Sequence, residues 1–388
     1  MVPLARKLYT CLYTHGPPTR GIFLAGDHMN LASAAGSDTS TSAHSRPQLR
    51  RRFVMGVVIV PVVLVLAWVL FLATGTSAGP AIREPGEFLV TLLDGITVAG
   101  LFFVVASGFT LIFGLMRTVN MAHGSLFAMA AYIGITVQQT MVGKTRNIEA
   151  ADVSMAAWFV PLLVGALVAA LIGITIQQVL LRWNEGQELR QALITLAVAV
   201  ILADQMLAWF GGLAQRMVWP GAVTHFTEIL GERYATSRLF MLGMAIVVGL
   251  GLWLWLGRTR MGMVIRAGVD DREMVRALGI NIMAVFAITF FVGAFLAGVG
   301  GIMGASFAGV APGADGQWLL NSLVVVIIGG LGSLKGAVAG SLLFGLVVSF
   351  SPAYLPAEFT FYSIILTFVL LAVVLAVRPY GLFGRPAA

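Results

Sequence analysis

Residues 258–285, RTRMGMVIRAGVDDREMVRALGINIMAV, decide how the rest of the chain reads. Five arginines (258, 260, 266, 272 and 276) and three acids (Asp270, Asp271 and Glu273) fall in this one stretch. Apolar runs long enough to cross a bilayer lie on both sides. An Arg or Asp at the bilayer centre costs about 2.5–3.5 kcal/mol even on the insertion scale, so the stretch belongs in water. Its arginine excess places it on the cytoplasmic face. Met263, Val264 and Ile265, then Met274, Val275, Leu278 and Ile280, recur at near-helical spacing, and Gly279 reads as a helix stop. The pattern is a short amphipathic helix closed by glycine. It suits docking onto another protein, and equally a solvated loop between two spans.

Composition agrees with the membrane reading. The chain has 388 residues, 59% of them hydrophobic and 11% charged, with a mean hydropathy of +0.92. Soluble domains carry about 25% charged residues. Runs of about 20 apolar residues indicate helical spans, not a barrel. Forty-five glycines suit close helix packing in lipid. The net charge of +7 is no nucleic-acid signal, because the arginines sit beside apolar spans. The single cysteine, Cys11, excludes an intrachain disulfide and a cysteine metal cluster.

The expected fold class is all-α: a polytopic helical membrane protein of about eight spans plus a re-entrant, glycine-broken hairpin. Residues 1–52 are rich in Ser, Thr, Ala, Gly and Arg and read as a disordered basic extension; residues 53–388 are the transmembrane domain. Spans are predicted at 53–74, 88–113, 121–140, 155–181, 191–211, 239–257, 284–308 and 359–377. Arg46 and Arg50–Arg52 hold the first span's start in the cytoplasm. The C-terminal Arg378 and Arg385 fall on the same side, while Lys144 and Arg146 fall outside, against the charge rule. Trp158 and Trp209 are expected near one membrane face, and Trp183, Trp253 and Trp255 near the other. The 212–238 loop, with its Trp219-Pro220-Gly221 turn, is the longest outer segment.

Two segments break the apolar pattern. One is FGLMRTVNMAHG at 113–124; the other is GGLGSLKG at 329–336, between two apolar arms spanning 319–351. Lys335 is costly in lipid, so these arms read as a hairpin that enters and leaves on the outer face. One interrupted segment per half points to a transporter's binding or gating region, although the halves show no residue-by-residue match. The pathway candidates are Asn120, His123, Gly124, Gly329, Gly330 and Gly332. Asp204 and Gln205 join them, because an intramembrane acid is a functional candidate expected to face a polar cavity. Small-residue stripes, Gly293/Ala297/Gly301/Ala305 and Ser341/Gly345/Ser349, predict close helix approach.

Arg266-Ala267, Asp270-Asp271, Ala277 and Gly279-Ile280-Asn281 resemble the cytoplasmic coupling loop of permeases in the branched-chain amino acid family of ABC importers, the LivH/LivM type. Asn120-Met121-Ala122-His123-Gly124 closely resembles that family's Asn-Phe-Ala-His-Gly motif, and the GGLGSLKGA run its corresponding segment. The resemblance covers about 88–386. Ser125 stands where an acid often follows the motif, Val275 where the family often has alanine, and Asp204 at or beside a frequent amide. The resemblance implies a permease subunit in the inner membrane. It also implies a second homologous permease, two ABC ATPase subunits and a periplasmic solute-binding protein. The solutes would be branched-chain amino acids or related small polar molecules. Arg266, Ala267, Asp270, Asp271, Ala277, Gly279 and Ile280 become the ATPase-coupling residues.

No catalytic set is visible: there is no HExxH, no GxSxG and no GxxxxGK[ST] phosphate loop. The chain is therefore expected to be no enzyme and to hold no cofactor or metal, with ATP bound by the partner subunits. Urea or amide uptake by the same kind of machine, and a self-sufficient secondary transporter using Asp204 for ion coupling, are the alternatives.

Overall fold

The computed structural model describes residues 85–143, 149, 153–355 and 360–384. The extension 1–52, the predicted span 53–74, Lys144, Arg146 and Arg385 lie outside the described residues.

Long runs without a charge fold into helices wide enough in apolar surface to be buried or to meet lipid all round. In chain order, α1 is Pro85–Met116 and α2 is His123–Val142. Next, α3 is Ala156–Thr175, continued by a π-helical turn, Ile176–Leu181, and a short 3-10 turn, Arg182–Asn184. Helix α4 is Glu188–Phe210. A two-stranded antiparallel hairpin, β1 Phe226–Ile229 and β2 Glu232–Ala235, precedes α5, Thr236–Arg258. Two short helices follow, α6 Arg260–Asp270 and α7 Arg272–Ala277. Then come α8 Ile282–Phe307, α9 Ala314–Gly329, α10 Leu334–Tyr354 and α11 Ser363–Val377. Among the described residues, eight helical stretches are long and apolar enough to cross a membrane.

The centre is set by glycine. Two-thirds of α8's apolar window is buried (67%), against 11% for α4 and 17% for α11, so α8 is core and the other two are periphery. Helix α8 runs antiparallel to α1, and the two backbones touch where Gly108 meets Gly293: a Cβ on Gly293 would lie 2.8 Å from the Gly108 carbonyl oxygen. The same device joins α3 to α8, where a Cβ on Gly298 would lie 2.6 Å from the Ala166 Cα. It joins α10 to α1, where a Cβ on Gly345 would lie 2.6 Å from the Ala99 nitrogen. The predicted stripe Gly293/Ala297/Gly301/Ala305 is buried along its whole length.

These contacts repeat in inverted order. Helix α3 packs on α8 as α10 packs on α1, and α2 on α3 as α9 on α10. The units α1–α4 and α8–α11 are thus the same arrangement running in opposite directions. Both second helices, α2 and α9, start inside the bundle. His123 bonds to Val105, which lies about 16 Å from the last turn of α1 at a rise of about 1.5 Å per residue.

Four expectations are corrected. The 319–351 region is not a re-entrant hairpin with a buried tip. Its second arm, α10, is 21 residues long and can cross on its own. Its glycine turn lies at the bundle end that carries α6 and α7, against Gly114 and Gly384. The counterpart of the 117–122 break is instead 308–313, where Pro312 and Gly313 stop one helix and start the next. The charged segment is two helices, because Asp271 leaves the helix with φ −150° and caps α7. Finally, Trp158 is no interface anchor: it is fully buried, stacks on Trp219 with ring centroids 5.6 Å apart, and donates to Ser306 at 3.1 Å.

The loop 212–238 contains the β-hairpin, turned by Leu230 and Gly231 at φ +53° and +90°, the geometry of a tight two-residue hairpin turn.

Gly301 abuts the Phe127 carbonyl, whereas nothing lies within 4 Å of a Cβ on Gly243. Gly301→Leu is expected to destabilise the fold by at least about 1–3 kcal/mol and to lose the monodisperse peak in detergent gel filtration. Gly243→Leu is expected to retain it; equal yields would contradict the packing described.

Candidate functional site

At one end of the bundle, three side chains each start a helix. Thr259 Oγ1 accepts from the Gly262 amide at 3.1 Å, Asp271 Oδ1 from Met274 at 3.0 Å, and Asn281 Oδ1 from Met283 at 3.1 Å. Gly279, at φ +77°, makes the turn that a Cβ would strain. These caps give the charged segment a defined shape. Ile265, Gly268 and Val275 face the bundle, while Arg266, Ala267, Asp270, Asp271, Ala277 and Gly279 face outward and Ile280 is half-buried. Val275, 2% exposed, packs on its own chain. The valine that stands where the family often has alanine thus lies on the inner side of the segment. Met263, Met274 and Leu278 are 60%, 58% and 71% exposed among the charges.

An ion pair ties this segment to the turn between α3 and α4. Arg276 meets Glu185 at 2.9 Å. Arg272 lies over the Phe286 ring at 5.6 Å; burial, and then Arg117 nearby, pull its guanidinium below the usual range. On the bundle side, a Cβ on Gly268 would lie 2.9 Å from Leu115 Cδ1 in the last turn of α1. The charged segment thus rests directly on the residues that precede the first break.

That break, 117–122, is satisfied from α4. Thr118 donates to Gln191 at 2.7 Å, and Thr195 Oγ1 accepts from the Met121 amide at 3.1 Å. Asn120 Oδ1 accepts from the Ala122 amide at 3.1 Å. His123 is fully buried, with Nε2 3.1 Å from the Val105 carbonyl and its ring edge-on to Phe109 at 5.3 Å. The Asn120 amide nitrogen and His123 Nδ1 have no partner among the described residues. Irregular backbone at this depth requires such internal partners. The two interior helix starts then meet. Gly124 abuts the Asp315 backbone, and the Ser125 hydroxyl lies 3.2 Å from Asp315 Oδ2. Ser125 thus has an acid beside it, contributed by the other half of the chain.

Gly329, Gly330 and Gly332 sit apart from this meeting point. They form the α9–α10 turn, where a Cβ on Gly332 would lie 3.1 Å from the Gly114 Cα. Lys335 is exposed in the first turn of α10. Asp204 does not face a cavity of its own chain. It is exposed, in line with Leu193, Val200 and Leu207 on the side of α4 opposite the packed Thr195 and Met206; Gln205 is half-buried.

At the opposite end of the bundle lies an open cavity of about 780 Å³. Asp94 of α1, paired with Arg238 of α5, lines it together with Arg216, Gln317, Trp318 and Asn321. Tyr234 beside this pair holds Thr97 at 3.1 Å, and burial pushes its phenol up to about 12. None of these side chains figured among the sequence-level candidates. Asp94 lies inside the predicted 88–113 span, so the reasoning applied to Asp204 could have found it. Asp315 carried a signal too: an acid in a first helical turn just after Pro312-Gly313.

A polytopic helical bundle with paired helix starts in its interior is a transporter architecture, and among the described residues no cluster of His, Cys, Asp or Glu is arranged to hold a metal. The chain belongs to the family described as branched-chain amino acid transport system / permease component, whose model matches residues 91–375; this is a transport family and not an enzyme family. It is 28% identical over 304 residues to the high-affinity branched-chain amino acid transport system permease protein LivH of Escherichia coli K12, covering 77% of this chain and 96% of LivH. It is 26% identical over 305 residues to the permease protein BraD of Pseudomonas aeruginosa, covering 77% and 97%. A solved structure, PsaBC from Streptococcus pneumoniae in complex with Fab, aligns at a TM-score of 0.40 and 13% identity over 75% of this chain and 92% of that one.

The Asp271 cap separates charge from structure. Asp271→Ala is expected to loosen α7 by about 1 kcal/mol, and Asp271→Asn by only a few tenths, read as hydrogen exchange of the 272–277 amides. Equal exchange in both variants would contradict the capping role.

Proposed function

We propose that this chain is the membrane-spanning permease subunit of an ABC importer, pairing with a second, similar permease. In this reading the end bearing α6 and α7 faces the cytoplasm and receives the ATPase subunits. The opposite end receives a solute from a periplasmic binding protein. Both termini then lie in the cytoplasm, and the solutes are branched-chain amino acids or related small polar molecules, as the relatives' names suggest.

The observation that carries the reading is the surface of the charged segment. Met263, Met274 and Leu278 stand exposed among arginines and acids on two capped helices braced against the bundle. Exposed apolar side chains held rigid beside charges suit a protein partner better than solvent. The segment touches α1 at Leu115, two residues before the break, so a rigid shift of α6 would push on the interior helix starts. ATP binding and release on the partners would supply that shift, and this chain would do no covalent chemistry.

Asp204 supports a second permease over a self-sufficient transporter. It points away from its own chain from a position about 9 Å inside the end of α4 at about 1.5 Å per residue. Facing lipid there is costly. Facing a second subunit across a polar gap is not.

Ala277→Arg with Leu278→Arg is expected to abolish co-purification of ATPase subunits and cut solute uptake at least tenfold, with the permease still monodisperse. A matching charge at the other end, Phe226→Arg, should leave ATPase recovery unchanged. Normal ATPase recovery and uptake in the double variant would overturn the docking assignment.

A further inference from the structure

The cavity at the end opposite α6 and α7 has a chemistry of its own. Its described lining carries two guanidiniums, Arg216 and Arg238, against one carboxylate, Asp94. Arg238 is matched by Asp94 and sits 6.0 Å from the centres of the Tyr234 and Phe307 rings. The uncompensated charge is therefore that of Arg216. This residue is held in place: Nε donates to the Ser306 carbonyl at 3.4 Å and Nη2 to the Phe307 carbonyl at 3.2 Å, both at the end of α8. A guanidinium has five N–H donors. Two are used this way among the described residues, leaving donors for an incoming acceptor.

The described lining also has an apolar part: Val98, Leu101 and Phe102 of α1 and Val348 of α10. Trp318 stacks at 4.4 Å on Phe127 and lies 5.3 Å from Phe102, which fixes its place in the wall. Gln317 and Asn321, four residues apart on one face of α9, add amide groups. A cavity of about 780 Å³ falls within the range of about 300–1,000 Å³ found for small-molecule sites. Arginine is also disfavoured at the outer membrane face, so placing two of them here calls for a reason beyond solubility.

We propose that this cavity binds a small solute bearing a carboxylate on an aliphatic body, such as an α-amino acid, before it moves on. The Arg216 guanidinium takes the carboxylate through charge-assisted hydrogen bonds. The α1 and α10 side chains take the aliphatic part, and the Gln317 and Asn321 oxygens accept from an ammonium group. The proposal rests on the permease reading above and adds a solute site contained within one subunit. The phosphate of an anionic lipid shares the anionic chemistry and is the competing source of a ligand.

The test is equilibrium binding of radiolabelled leucine to the full complex, recovered with its ATPase subunits and placed in nanodiscs of phosphatidylcholine alone or with phosphatidylglycerol. Unlabelled leucine and 4-methylpentanoate, which both keep the carboxylate, are expected to compete. Leucinamide, which lacks it, should be at least tenfold weaker. Arg216→Gln should weaken leucine at least tenfold, with the complex intact by gel filtration. The ligand series on the unmodified protein decides the matter even where that variant does not assemble. Equal competition by leucinamide, or binding unchanged in an assembled Arg216→Gln complex, overturns the site. So does leucine binding suppressed at least tenfold by phosphatidylglycerol, since the lipid headgroup then owns the cavity. Leucine uptake by a complex that shows none of this binding also overturns the site, while the permease reading stands. Recovery of the chain without any ATPase subunit counts against the permease reading itself.

Discussion

The backbone-to-backbone approach of α1 and α8 at Gly108 and Gly293 is the constraint on which the rest of the structure depends. In lipid, apolar side chains gain little by leaving the solvent for one another, so close packing of backbones carries much of the association. Any side chain at these two positions would force the central helices apart. The same glycine logic then fixes α3 on α8 and α10 on α1. Once these four helices are locked, α2 and α9 have only the interior left to start in. Their first turns meet at Gly124 and Asp315, where a larger residue at position 124 would again be excluded.

That meeting point explains how an otherwise apolar bundle keeps polar groups at depth. Thr195 of α4 accepts from the Met121 amide and Gln191 of α4 from the Thr118 hydroxyl, while Asn120 satisfies the Ala122 amide from within the break. Helix α4 is held to the core by these bonds together with an apolar strip that includes Ile194, Val198, Leu202 and Met206, and its other face is turned outward. The charged segment closes the arrangement from below. Through Gly268 on Leu115 and Arg276 on Glu185 it touches both α1 and the turn leading into α4, the two elements that hold the first break. The segment thus meets the surroundings of the interior break at two direct contacts.

Much of this was legible in the chain. The arginine-rich island, seven of the spans and the stripe on α8 follow from charge exclusion and small-residue spacing, and α1, α2 and α8 end within a few residues of expectation. The second break was misplaced because glycine count favours 329–336 over 308–313. Yet a glycine-rich turn between two full helices and a glycine-rich break inside one look alike in sequence. The better discriminator was Pro312-Gly313 followed by Asp315, a start signal placed just after a long apolar run. The Arg276–Glu185 pair, the buried Trp158–Ser306 bond and the Asp94–Arg238 pair join residues 91 to 148 positions apart, and no local pattern announces those. The hairpin at 226–235 is short and carries no alternation strong enough to stand out from a polar loop. The role of the pathway candidates rests on placement: Asn120, His123 and Gly124 lie at the interior meeting point, the glycines of 329–332 do not, and Asp204 points outward.

The most direct test of the central claim is whether the two interior helix starts touch in the membrane. Ser125→Cys with Asp315→Cys, in a background lacking Cys11, should cross-link on mild oxidation, since the native side chains lie 3.2 Å apart. Efficient intramolecular cross-linking in native membranes is the result expected. Its absence, with both thiols intact and the protein folded, would contradict the inverted pairing of α1–α4 with α8–α11.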